Sequence, residues 1–208
     1  MGLGGGGSRS RRDWLRSAAA GLGGLWIPGG RRNPAVHAAA PQDSREVGTN
    51  WAGNVAYGAV GLHRPATVAE VQRIVRENEK VKALGGRHSF SGIADTRGAL
   101  VSLERFDTVS PVDRAAGTVE VGAGVKYAKL CPDLLRQGFA VANLASLPHI
   151  AVVGACSTAT HGSGTGNLAT QVAGLELVDG RGEVVTLSES ASRDELHGAV
   201  SAWAPSGW

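Results

Sequence analysis

"ALGGRHSFSGIADT", residues 83–96, runs an apolar approach into a glycine pair, an arginine, a histidine and two serines. Paired glycines let a chain turn tightly and leave backbone N–H groups with no Cβ in front of them. Three chemistries could use a histidine at the tip of such a turn: metal ligation, proton transfer, or attachment of a cofactor. A second stretch has the same character. "SLPHIAVVGACSTATHGSGTG", residues 146–166, is dense in Gly, Ser and Thr. Two such loops bring together several neutral N–H and O–H donors, which is the equipment for a pyrophosphate. They also account for part of a high glycine total, 31 in 208 residues.

Outward from these loops the pattern is that of an α+β domain, short strands flanked by helices. "TVAEVQRIVRENEK" (67–80) predicts a helix, with Thr67 and Glu70 as a capping box and Val68, Val71, Ile74 and Val75 on one face. "VKALG" (81–85), "ALVSL" (99–103) and "GTVEVGAG" (117–124) predict strands. "VKYAKLCPDLLRQGFAV" (125–141) predicts a second helix ending at Gly138, kinked or restarted at Pro132. "GLELVDGRGEVVTLS" (174–188) predicts a hairpin.

Composition excludes several classes. Hydrophobic residues make up 42% and charged residues 19%, ordinary for a globular protein. The net charge is only +3 and many arginines fall in the first 45 positions, so no basic, aromatic-interleaved nucleic-acid surface is expected. No apolar run approaches the roughly 18 residues of a membrane-spanning helix. Cys131 and Cys156 lack CxxC spacing, give no disulfide framework, and are expected as buried thiols.

Residues 1–42 are expected to be an address and linker. "SRRDWLR", Ser10 to Arg16, resembles a twin-arginine export signal, and Val36, Ala38 and Ala40 offer a cleavage site. The mature chain would then begin between Pro41 and Asn50, and the protein would be exported already folded, which suits one that acquires a cofactor first.

Common site motifs fail in turn. There is no GxxxxGK[ST]. "GAGVKY" at Gly122 lacks the third glycine of a dinucleotide fingerprint. His161 stands where the first glycine of GxSxG around Ser163 should be, so no nucleophile elbow forms. His88, His149 and His161 form neither HxxxH nor HExxH, and no metal site is expected.

Read together, "NWAGNVAY" (50–57), "ALGGRHSFSGIADT" (83–96), "VGAGVKYAKL" (121–130), "NLASLPHIAVVGACSTATHGSG" (143–164) and "LELVDGRGEVV" (175–185) give a specific match. Residues 50–200 resemble the two-subdomain, PCMH-type FAD-binding domain of the vanillyl-alcohol-oxidase superfamily, most closely its alditol oxidases. Related lactone oxidases of gulonolactone and arabinonolactone type share the first loop. The resemblance implies FAD as cofactor, with His88 bonded covalently to the 8α-methyl carbon of the flavin. It places the backbone of Gly85, Gly86, Arg87 and Ser89 against the pyrophosphate and Ser146 near the flavin. Gly154, Thr158, Thr160, His161, Gly162 and Gly164 fall on the second FAD loop. Leu147 and Pro148 stand where bicovalent relatives carry a cysteine, so one flavin bond is expected.

The resemblance further implies a small polyol as substrate, oxidised by O2 with release of H2O2. The substrate-binding domain that follows in the family is not expected within these 208 residues, and no catalytic residue is assigned. Family members read like "SLGALGV" where this chain reads "SAWAPSGW" (201–208). Shifting the reading frame at Ala202 recovers Leu-Gly-Ala-Leu-Gly-Val with GC-rich codons, so a frameshift near codons 201–202 is expected.

Overall fold

A computed structural model describes residues 47–163 and 166–201. The leader of residues 1–42, Gly164 and residues 202–208 lie outside the described residues.

The first unit is a parallel sheet. Strand β1 (Gly61–His63) leads through helix α1 (Val68–Glu77) to β2 (Val81–Leu84), and β3 (Ala99–Ser102) lies between them, giving the order β1-β3-β2. Register pairs Leu62 and Lys82 with Leu100. The central strand β3 is buried at every position, as a parallel strand covered on both faces must be. Helix α1 starts where the sequence indicates: the Thr67 hydroxyl accepts from the Glu70 N–H at 3.2 Å, and the Glu70 carboxylate accepts from the Ala66 N–H at 2.6 Å. Ile74 and Val75 face inward, whereas Val68 stays exposed.

The second unit contains helix α2 (Tyr127–Arg136) and the short helix α3 (Val152–Cys156). Tyr127, Leu130, Leu134, Val152, Ala155 and Leu168 pack into one cluster. Helix α2 runs through Pro132 without a break. Burial of Tyr127, Leu130 and Leu134 on one side outweighs the single hydrogen bond that a proline removes. Cys131 and Cys156 are free and half-buried rather than fully buried. "GTVEVGAG" runs antiparallel to residues 106–113 as an irregular ribbon with two isolated bridges, Val109–Val121 and Asp113–Thr118, rather than a regular strand. Its backbone bonds run from Gly124 N–H to Phe106, Gly122 N–H to Thr108 and Ser110 N–H to Glu120, and a tight turn around Asp113, whose carboxylate accepts from the N–H groups of Ala115 and Ala116, joins the two sides.

The third unit is the expected hairpin, β4 (Gly174–Val178) antiparallel to β5 (Val184–Ser188), covered by α4 (Arg193–Ser201) through Leu187, Leu196 and Ala199. Helices α3 and α4 escape the sequence pattern. The whole is α+β, short strands flanked by helices.

Candidate functional site

The carboxyl ends of all three parallel strands open onto one groove. Arg64 follows β1, Gly85 and Gly86 follow β2, and Leu103 and Glu104 follow β3, and all line it. Open parallel sheets bind ligands at this edge. The groove continues as a second cavity past His88 and Ser89 to Gly154, Thr158 and Thr160 on the other loop. It separates two core clusters, one holding Leu62, Leu84 and Ala94, the other Ala151's neighbours Val152 and Ala155.

The GGRHS turn is fastened by one side only. Arg87 has a left-handed backbone, φ 62°. Its carbonyl accepts from the Trp51 N–H at 2.9 Å, and its Nη1 donates to the carbonyls of Val47 (2.7 Å) and Thr49 (3.0 Å). Asn50, 3% exposed, donates from Nδ2 to the Ser89 carbonyl at 3.0 Å and to Asn54 Oδ1 at 2.7 Å, while its Oδ1 accepts from the Val55 N–H. Asn54 in turn holds the Phe90 carbonyl. The carbonyls of Arg87, Ser89 and Phe90 are thus committed to the "NWAGN" segment. The N–H groups of Gly86, Arg87, His88 and Ser89 have no acceptor among the described residues. Gly86 brings the turn against the second loop: a Cβ there would lie 3.3 Å from the Ala151 nitrogen and the His149 carbonyl.

His88 sits in an aromatic cluster. Its ring centroid is 4.5 Å from that of His149 and 5.0 Å from that of Trp51. Neither ring nitrogen of His88, nor Nε2 of His149, has a hydrogen-bond partner, and all three are shielded from solvent. Each unmade bond of this kind costs about 1–3 kcal/mol. Burial, then the neighbouring charges of His149 and Lys126, push the His88 pKa below the ordinary histidine value. These causes disfavour the imidazolium and favour a neutral ring with a nucleophilic lone pair.

Eight of the twelve residues singled out from sequence line the groove: Gly85, Gly86, Arg87, His88, Ser89, Gly154, Thr158 and Thr160. Ser146 and His161 are exposed and, with Gly162, do not line it. The glycine at 162 has a packing cause, since a Cβ there would lie 2.1 Å from the Leu144 carbonyl oxygen. Gly164 lies outside the described residues. Arg64, Glu104, Ala123, Gly124 and Lys126 line the groove without having been singled out. The signal for the first two was their place just after a predicted or observed strand. Glu104 is neutralised by Arg64 at 3.2 Å, whereas Lys126 forms no ion pair among the described residues.

This donor set fits FAD. Uncommitted N–H groups of the turn suit a diphosphate, Lys126 adds positive charge, and the apolar wall of Ile150, Ala151 and Val153 suits a flat ring. On the second loop the Thr158 hydroxyl donates to the Gly154 carbonyl at 2.9 Å and lies 3.2 Å from the Thr160 hydroxyl. Among the described residues, no group of three or more His, Cys, Asp or Glu side chains is placed to hold a metal ion. No helix among them is long and apolar enough to cross a membrane.

Comparison with known proteins agrees with this geometry. A family model described as "FAD binding domain" matches residues 59–188. An alditol oxidase from Streptomyces sp. is 42% identical over 158 residues, covering 74% of this chain and 38% of its own length. The L-gulonolactone oxidase of Mus musculus is 35% identical over 156 residues, 72% of this chain and 36% of its own. The chain thus spans less than two fifths of the length of these relatives. Among solved structures, the glucooligosaccharide oxidase of Acremonium strictum, described with a 6-S-cysteinyl, 8α-N1-histidyl FAD, superposes with a TM-score of 0.63 at 21% identity. That match covers 73% of this chain and 34% of the other.

Proposed function

The chain belongs to the FAD binding domain family, and from that premise we propose that it is the cofactor-holding part of an exported flavin-dependent oxidase acting on the CH–OH group of a polyol. The domain binds FAD. The observation that carries the proposal is the turn at Gly85–Ser89, with the Arg87 and Ser89 carbonyls pinned and its N–H groups from Gly86 to Ser89 uncommitted among the described residues, beside an unpartnered His88.

In this reading the backbone of Gly85, Gly86, Arg87 and Ser89 holds the diphosphate together with Gly154, Thr158 and Thr160, and Lys126 neutralises part of its charge. Ser146 near the flavin, and His161, Gly162 and Gly164 of the second loop, complete the cofactor-binding set. His88 is the point of covalent attachment to the 8α carbon. Bound FAD supplies the chemistry of hydride acceptance from a carbinol carbon and electron transfer to O2, released as H2O2. Residues of this chain bind and orient, and the base that takes the substrate's hydroxyl proton is assigned to none of them. The 42% identity to an alditol oxidase supports a polyol as substrate. The 35% identity to L-gulonolactone oxidase supports a sugar lactone as the second reading. The Ser10–Arg16 motif supports export of a folded, loaded protein.

Loading the full chain with FAD and precipitating it with acid tests the reading. A yellow pellet is expected. A colourless pellet with all flavin in the supernatant removes the covalent bond, and failure to retain FAD on gel filtration removes the function. H2O2 release with xylitol or sorbitol, against release with a gulonolactone, separates the two substrate classes.

A further inference from the structure

His149 has no role in the function proposed above, yet among the described residues it shares with His88 the state of a buried ring nitrogen without a partner. Its Nε2 is buried and without a partner, in contact with a second imidazole in the same condition. The ring planes meet at 53°, and Trp51 covers both, with centroids 5.0 Å from His88 and 6.0 Å from His149. The spacing is held by backbone, because Gly86 packs directly against the His149 carbonyl. A histidine kept for packing alone finds acceptors for its nitrogens. Here three ring nitrogens of two adjacent histidines have only one another and the groove. The ring centroids are 4.5 Å apart, and χ2 is a soft torsion for histidine, so the rings are free to turn toward each other.

We propose that His149 is the positioning residue for attachment of the cofactor to His88. This rests on the reading of His88 as the attachment point. His149 Nε2 accepts a hydrogen bond from one ring N–H of His88, which fixes the tautomer and directs the lone pair of the other nitrogen into the groove. As that nitrogen bonds to carbon, His149 takes the departing N–H proton. In the net exchange one N–H bond of His88 and one C–H bond of the 8α-methyl break and one N–C bond forms. The two hydrogens and two electrons reduce the flavin ring, and dioxygen reoxidises it and leaves as hydrogen peroxide.

The test follows covalent labelling and FAD binding separately in the full chain. FAD is added to wild-type protein and to His149→Phe, which keeps a ring in the cluster and removes its nitrogens. Total bound FAD is read from quenching of flavin fluorescence, and acid-stable flavin is followed in time by in-gel fluorescence. The expected result is unchanged FAD affinity with labelling slowed by roughly 10²-fold, the scale of a lost general base, and recovery on addition of imidazole. Labelling of His149→Phe at the wild-type rate, or slow labelling that imidazole does not restore, overturns the proposal while leaving His88 as the attachment point. Wild-type protein that binds FAD and never forms an acid-stable adduct overturns the reading of His88 and this proposal with it. If His149→Phe fails to bind FAD, His149→Gln is measured in the same way. Failure of both to bind makes His149 architectural and overturns the proposal.

Discussion

Removing the Asn50 side chain would release the Ser89 carbonyl, the Val55 N–H and Asn54 together. Asn50→Ala should destabilise the chain by about 2–3 kcal/mol, since buried partners are left unmade, and should weaken FAD binding by loosening the turn. Urea denaturation and flavin fluorescence titration check both effects. The special character of His88 was legible, because a glycine pair before a histidine is a local pattern. The brace was not: Asn50 and Ser89 stand 39 positions apart, and nothing in "NWAGN" says which carbonyls it will meet. Gly162 carries a second constraint that the sequence did not show: besides its place on the second loop, it packs against the Leu144 carbonyl, which leaves no room for a Cβ. Gly162→Ala should cost about 1–3 kcal/mol as an overpacking substitution. Gly154→Ala, whose new Cβ meets only the Ala151 Cβ at 3.8 Å, should fold normally, a contrast that thermal unfolding of the pair would expose.

Elements whose signals are local came through from sequence, and elements held by distant partners did not. Helix α1 announces itself through Thr67 and Glu70, and the hairpin through two apolar runs around Asp179–Gly182. Thr67→Ala should lower stability by about 1 kcal/mol, the usual loss of an N-cap, measured by urea unfolding. Helix α3 is only five small and aliphatic residues long and is fixed by packing of Val152 and Ala155, which no periodicity reveals. "GTVEVGAG" has strand composition and pairs with residues 106–113, but irregularly, and Gly122 and Gly124 are needed where it passes against the backbone of Phe106 and Leu103. Pro132 within α2 makes a sharper case. Pro132→Ala restores one backbone donor at an interior helical position and should stabilise the chain by about 1–2 kcal/mol, read as a higher denaturation midpoint.

Across the whole molecule, acid should act through two histidines. His63, by burial and then by the nearby Arg73 charge, and His88, by burial and then by His149 and Lys126, both have pKa values below the ordinary one. The unfolded chain therefore binds more protons than the folded chain once the pH drops under about 6.5. Stability is complete above that value and is lost as the pH falls through the lowered folded pKa values. Urea midpoints should be flat from pH 8 to about pH 7 and decline toward pH 5. His63→Gln and His88→Gln should each flatten the decline, and an unchanged slope in both would remove these groups from the account. At this scale the α+β class was legible. The meeting of all three parallel strand ends at one groove was not, because strand order depends on crossovers that leave no mark in composition.

The groove also lies where two core clusters stop short of each other. Whatever fills it completes the interior as well as the chemistry. A ligand present at a hundred times its dissociation constant adds about 2.7 kcal/mol to a fold that binds it only when folded, a large fraction of what a domain of this size has in total. The FAD-free chain should therefore be the form a protease cuts more readily, and added FAD should slow its digestion in vitro.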